Sequence, residues 1–283
     1  MNILFLTVLF SSKPEDCETV RSLANLNFEK YGVRPSFIFW DNSSDGFGHD
    51  ELDSKFLGFE VIYKHTPENI RLSKLYNNVI DAYSGAYDYI VFLDDDSVVL
   101  DEYLHSLLPF FVSCALLAMP KIFFEGVMIS PGLVRGVRGK LYDEAILKTG
   151  LSDSLNVVGM MSGTIAKTKL FEFDLRFCER LSFYGVDTRF YLDYQKNFKE
   201  LFVLDLTMEH SSALRDSAIC FDDQIKRFSN LMVSRFIVFE KVKYNRFKIF
   251  WFFAGFIIMK CWRLKSLRYL LLFKNYKYFI YKV

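Results

Sequence analysis

After Glu240 this chain contains no acidic residue. Residues 241–283 hold eight Lys and three Arg, a formal +11, while residues 1–240 carry the other 24 bases and all 34 acids, a formal −10. The net charge of +1 conceals that split. A basic segment of this kind suits an anionic surface, either membrane or nucleic acid. No nucleic-acid-binding motif is present, which argues against the second. No G-x-G-x-x-G follows the first apolar run, which disfavours a dinucleotide-binding Rossmann enzyme. No stretch reaches the roughly 18–20 apolar residues of a spanning helix; the best, 249–259, is bounded by Lys248 and Lys260. Cysteine is scarce. The five residues Cys17, Cys114, Cys178, Cys220 and Cys261 form no C-x-x-C pair, so reduced thiols in a cytoplasmic protein are expected. The apolar N-terminus lacks the basic region and cleavage site of a secretory signal. It reads instead as a first buried strand over 2–10.

Apolar residues make up 51% of the 283, with 31 Phe and 16 Tyr, enough for one large domain or two small ones. The first half alternates strand-like and helix-like segments. Strands are expected over 2–10, 36–40, 60–64 and 89–93, and helices over 14–31 and 70–84. This βαβ alternation predicts an α/β fold with a mainly parallel central sheet flanked by helices. A helix over 101–108 should end at Pro109, and a strand follows over 114–119. Residues 122–158, with Gly126, Gly132, Gly136 and Gly139, read as mobile loops near a substrate. Helices are expected over 167–171 and 187–197, and a strand over 201–206. The division predicted is a domain over 1–235 and a tail over 236–283. Two amphipathic helices near 245–260 and 264–282 interleave aromatic and basic residues, as suits a bilayer interface. Helices packed on the domain with solvated bases are the plain alternative.

The densest chemical signal is Tyr89-Ile90-Val91-Phe92-Leu93-Asp94-Asp95-Asp96-Ser97. Three adjacent carboxylates at the end of a buried strand repel one another, and a divalent cation holding phosphates would neutralise them. Ligands of open α/β sheets bind beyond the carboxyl ends of the strands. A solvated acidic turn is the plain alternative.

Other segments stand in order around it: Leu6-Thr7-Val8-Leu9-Phe10, Trp40-Asp41-Asn42-Ser43-Ser44 and Asn69-Ile70-Arg71-Leu72-Ser73. Met161-Ser162-Gly163-Thr164, Tyr184-Gly185-Val186-Asp187-Thr188 and Glu209-His210-Ser211-Ser212 follow. Over roughly 1–235 this order resembles the family 2 glycosyltransferases of GT-A fold, and the Leu-Asp-x-Asp-Ser form is similar to bacterial rhamnosyltransferase-like members. The resemblance implies an inverting, metal-dependent hexosyl transfer from a UDP- or dTDP-sugar to a glycan or lipid-linked glycan acceptor in bacterial surface polysaccharide synthesis. It implies Asp41 as a nucleoside contact, Asp94 and Asp95 as donor contacts, and Asp96 with His210 as ligands of Mg²⁺ or Mn²⁺. Asp187 becomes the general base, and Ser162 and Gly163 lie beside the sugars.

Each residue also has a local reading: an Asx-turn at Asp41, a helix N-cap at Asp187, an ordinary turn at Ser162-Gly163, a structural histidine at His210. Arg71 stands where many relatives have Gly. It pairs with a phosphate or is solvated. Tyr184 and Gly185 occupy positions where relatives carry a second acid, so a catalytically silent nucleotide-sugar-binding or membrane scaffold protein is the alternative reading. The tail would hold the enzyme peripherally at the inner face of the cytoplasmic membrane.

Overall fold

The first strand, β1 (Asn2–Leu9), is buried along almost its whole length. A strand covered on both faces needs a near-continuous apolar run, and its sequence, NILFLTVL, supplies one. In the computed structural model, which describes residues 1–48, 50–209, 220–263 and 265–276, β1 is followed by α1 (Glu18–Leu23), β2 (Arg34–Asp41), α2 (Asp50–Lys55), β3 (Glu60–His65), α3 (Leu72–Tyr83) and β4 (Tyr89–Asp94). β1, β2, β3 and β4 pair in parallel. Next come α4 (Asp101–Val112), β5 (Leu117–Phe124) and the short strands β6 (Val127–Ser130), β7 (Gly132–Arg135), β8 (Arg138–Leu141), β9 (Gly150–Asp153), β10 (Val157–Val158) and β11 (Thr164–Lys167). The chain continues through α5 (Val186–Tyr194), β12 (Glu200–Glu209), α6 (Phe221–Val238) and α7 (Asn245–Arg263) to a 3₁₀ segment, Leu267–Tyr276.

The nine-stranded sheet runs β3-β2-β1-β4-β11-β5-β12-β9, with β6 on β5, and β10-β7-β8 form a second small sheet. Strand order reverses at β1, since β2 and β3 lie on one side and β4 on the other. That is the switch point at which α/β sheets bind ligands. Side chains alternate across the sheet. Ile3, Phe5, Phe37 and Val91 face α1, α2 and α4, whereas Leu4, Leu6, Ile38 and Phe92 face α3, α5, α6 and α7. The α/β fold with its mainly parallel sheet is thus as expected from the alternation.

Several boundaries differ. The helix expected over 14–31 is confined to Glu18–Leu23. Residues 13–17 form a turn, and downstream the Asn25 and Asn27 side chains bond Arg21 O and Lys30 N, competing with helical backbone pairing. α4 continues past Pro109 to Val112. The lost backbone bond is offset by burial of Phe110, whose ring meets Tyr89 and Phe202. Residues 122–158 are loop only in part: short strands fill much of the interval, and 142–149 form the longest connection. Gly126 at φ 74° and Gly136 at φ 63° turn the β5–β6 and β7–β8 hairpins. β11, four residues long, is too short for a periodic signal, and α6 was not anticipated.

The tail packs on the domain. Ile249, Phe253 and Ile257 of α7 are buried in the same apolar cluster as Met232 of α6 and Phe190 of α5. The Arg235 guanidinium stacks 4.3 Å from the Phe252 ring and donates to Val137 O, joining α6, α7 and the β7–β8 turn. α6 itself runs through residue 235, so the tail starts within its last turn.

Candidate active site

Parallel register brings the ends of three strands together. Leu9 of β1 lies opposite Asp41 of β2, and Val8 lies opposite Asp94 of β4. With strands about 4.8 Å apart, Asp41 and Asp94 flank β1 at roughly 10 Å from one another. Alternation sends them to opposite faces, Asp94 toward α3 and α5, Asp41 toward α2.

Asp41 is fully buried. Its Oδ1 accepts from Ser43 N at 3.0 Å, and Oδ2 accepts from Phe47 N at 3.1 Å and from Tyr63 Oη at 2.7 Å. Burial alone would raise this carboxyl; the Ser43 hydroxyl, the Tyr63 hydroxyl and the Ser43 and Phe47 amides outweigh it and hold the pKa below the ordinary value. The carboxylate therefore organises the loop after β2 as an Asx-turn. Ser43 Oγ in turn accepts from Ser11 N at 2.8 Å, and Asn42 Nδ2 donates to Ile70 O at 2.8 Å. The loops after β1, β2 and β3 are thereby tied into one rim. Tyr63 and Asn42, which sequence reasoning passed over, carry much of this rim. A tyrosine two residues from the end of β3 gave no local signal of its partner.

The acidic triplet is cradled by the start of α1. Thr19 Oγ1 lies 2.5 Å from Asp94 O and 2.8 Å from Ser97 N, and Cys17 Sγ donates to Asp95 O at 3.0 Å. All three residues are half-buried, and Oδ1 of Asp96 is itself buried. Burial raises the Asp95 carboxyl, the Ser12 hydroxyl pulls it back, and the Asp96 charge raises it again. Burial likewise pushes the Cys17 thiol up to about 11, which leaves it a protonated donor and not a nucleophile.

Asp187 sits in the first turn of α5, and its Oδ2 accepts from Met161 N at 3.2 Å. The next residue, Ser162, is buried, with Oγ 2.5 Å from Ser97 Oγ. Asp187 is thus linked through Met161, Ser162 and Ser97 to the acidic turn, across 90 residues of chain. The buried Tyr76 phenol of α3 is raised well above its usual range by burial, then by the charges of Asp94 and Asp187, so both carboxylates lie near one ring. Gly163 holds φ 75°, and a Cβ there would stand 2.7 Å from Met208 Sδ. Its N–H donates to Phe92 O and its O accepts from Tyr103. Ser162 and Gly163 are both buried structural links beneath the cleft. Arg71, exposed before α3, donates to Glu179 O at 2.8 Å. Together with Ser73 to Leu181 O and Asn77 to Phe177 O, it holds the loop that leads to Asp187. His210 lies outside the described residues.

Among the described residues no three His, Cys, Asp or Glu side chains converge as a ready-made metal centre. The chemistry of the triplet still fits a hard divalent cation: adjacent carboxylate oxygens with one group pushed up by burial and by a like charge. Such a site would be completed by ligands from a bound diphosphate.

The sequence model described as Glycosyl transferase family 2 matches residues 17–158. That interval includes Asp41, Arg71 and the acidic triplet but ends before Asp187. Among solved structures, S. aureus TarS 1-349 in complex with UDP-GlcNAc aligns at TM-score 0.57 and 14% identity, covering 88% of this chain and 73% of that one. The same TarS fragment in complex with UDP aligns at TM-score 0.56 and 14% identity, over 88% and 72%. GalNAc-T7 with UDP, GalNAc and Mn²⁺ aligns at TM-score 0.56 and 14% identity, over 74% of this chain and 43% of that one. At this identity the likeness is one of fold. No curated protein matches the sequence.

Proposed function

The chain belongs to glycosyltransferase family 2 and is a glycosyltransferase of GT-A fold, and from that premise we propose a metal-dependent, inverting transfer from a UDP- or dTDP-linked hexose to a glycan or lipid-linked glycan acceptor. The observation that supports this reading best is the link from the acidic turn to Asp187 through Ser97, Ser162 and Met161. It holds a carboxylate across the cleft from the strand end where a diphosphate would lie.

Asp187 removes the proton of the acceptor hydroxyl as that oxygen attacks the anomeric carbon. The bond from that carbon to the diphosphate breaks on the opposite face, so the configuration inverts. A positioned base of this kind contributes about 10²–10⁴-fold. Its bond from Met161 N orients one carboxylate oxygen. Asp96 and His210 would hold Mg²⁺ or Mn²⁺, with Asp94 and Asp95 toward the ribose and the ion's water. A bound cation supplies neutralisation of the departing nucleoside diphosphate. Asp41 serves the nucleoside through the loop it organises, and Arg71, Ser162 and Gly163 shape the donor side. UDP and UDP-GlcNAc bound to TarS, and Mn²⁺ with UDP in GalNAc-T7, support the donor and cofactor classes.

Residues 1–235 form the catalytic domain in this reading, and the tail over 236–283 meets the membrane surface that carries the acceptor. That places the enzyme peripherally at the cytoplasmic face in bacterial surface polysaccharide synthesis. No described helix is long and apolar enough to cross a membrane.

The test is a thermal-shift screen of nucleotide-sugars with Mn²⁺, followed by donor turnover. The cognate donor should raise the melting midpoint. Asp187→Asn should retain that shift and lose transfer by about 10²-fold or more. Normal transfer by Asp187→Asn removes the base assignment. Failure of every donor to bind or turn over favours the silent scaffold, the reading that Tyr184-Gly185 in place of a second acid supports.

A further inference from the structure

Among the described residues, one face of α7 is left without a partner. Phe247, Trp251, Ile258 and Trp262 are 66%, 57%, 62% and 80% exposed. At 100° per residue these four positions fall within an arc of about 60°, a stripe roughly 22 Å long. Leu267 and Leu271 of the 3₁₀ segment are exposed as well. The opposite face is spent: Ile249, Phe253 and Ile257 are buried against the domain. A soluble surface rarely carries a contiguous apolar strip of this size without a use.

The bases of the tail divide into two groups. Lys260 is turned inward, 4.9 Å from the Phe228 ring centroid, and Arg268 stands 4.0 Å over Phe221. These hold the packing. Lys248 is exposed about 40° around the helix from the stripe's edge, Arg263 and Lys265 are exposed at its C-terminal end, and no acid occurs anywhere beyond Glu240.

We propose that this stripe is an in-plane anchor for an anionic phospholipid bilayer, with Trp251 and Trp262 seated at the headgroup level and the outward lysines and arginines on lipid phosphates. The inference deepens the reading of the tail given above and is independent of the assignments at the strand ends. Trp and basic side chains around an apolar strip are the composition that the interface favours. A second copy is a poorer occupant: an isologous contact sets this surface against itself, bringing the tail's bases together with no acid of the tail to meet them. Because apolar burial contributes alongside charge, binding should persist in part at salt concentrations that screen the lysines.

The test is flotation of the whole protein with phosphatidylcholine vesicles, with and without phosphatidylglycerol. The wild type should float with the anionic vesicles. Trp40 is buried and the other two tryptophans are exposed, so emission should shift to shorter wavelength on binding and be quenched by brominated lipid. The double substitution Trp251→Glu with Trp262→Glu should weaken partitioning at least tenfold at an unchanged melting midpoint, while Asp187→Asn floats as wild type. The proposal is overturned if wild type ignores anionic vesicles, if brominated lipid leaves its emission unquenched, or if a folded double variant floats equally well. It is also overturned if those substitutions instead dissolve a dimer seen by sedimentation. Transfer to a soluble acceptor analogue would persist in each of those cases if the catalytic reading is sound.

Discussion

Replacing Asp41 with asparagine tests whether the loop after β2 is built on a charge. The carboxylate accepts from Ser43 N, Phe47 N and Tyr63 Oη, at 3.0, 3.1 and 2.7 Å, in a fully buried position. Asparagine keeps one acceptor oxygen and turns an NH₂ group toward a donor, so about two charge-assisted bonds are lost. At about 1.5–3 kcal/mol each, the expected loss is roughly 3–6 kcal/mol. For a chain of this size that corresponds to a fall in melting midpoint of roughly 6–18 °C. Tyr63→Phe removes one partner and should cost about 1–2 kcal/mol. The two substitutions together should cost less than the sum, because they share a bond. The acid limb gives a second readout. The folded pKa of Asp41 is depressed, so its contribution is present above the ordinary carboxylate pKa of about 3.9 and is lost as pH falls through the lower folded value. Asp41→Asn should flatten that limb. Urea denaturation from pH 2 to 7 measures both quantities. A loss below about 1 kcal/mol with an unchanged acid limb would show that the carboxylate does not hold this loop.

Two further substitutions probe the support of Asp187. Gly185 holds φ 81°, and a Cβ there would stand 2.6 Å from Val238 Cγ2, so Gly185→Ala should destabilise by about 1–3 kcal/mol and displace the first turn of α5, lowering turnover more than donor affinity in steady-state kinetics. Glu240 accepts from Arg189 at 2.8 Å and pairs with Arg180. Burial would raise its carboxyl, but Arg189 and Arg180 hold it below its ordinary value. Its stabilisation is therefore present above the ordinary value of about 4.3 and lost as pH falls through the lower folded one. Glu240→Gln should cost about 1–2 kcal/mol at pH 7 and remove that acid dependence, read by calorimetry at several pH values.

The alternation of strands and helices in the first half was legible because each element carries its own period. β1, β2 and β4 are apolar throughout since both faces are covered. Elements without a period were not legible. β11 has four residues and β10 two, and the hairpins over 122–158 depend on turn glycines that also read as loop. Pro109 misled because its local cost is real but smaller than the gain from burying Phe110.

The sequence by itself determined the α/β class, the three acids at the end of β4, the acid at the head of α5 and the charge of the tail. All of these are written in contiguous residues. Tertiary structure alone decided that Asp41 spends its carboxylate on Ser43, Phe47 and Tyr63, and that Ser162 reaches Ser97 while Met161 reaches Asp187. It also decided that α7 buries Phe253 and exposes Trp251 and Trp262. A local pattern records how often a residue is buried but not what buries it. Bonds between residues tens of positions apart form only when strand register and helix docking bring their atoms within reach.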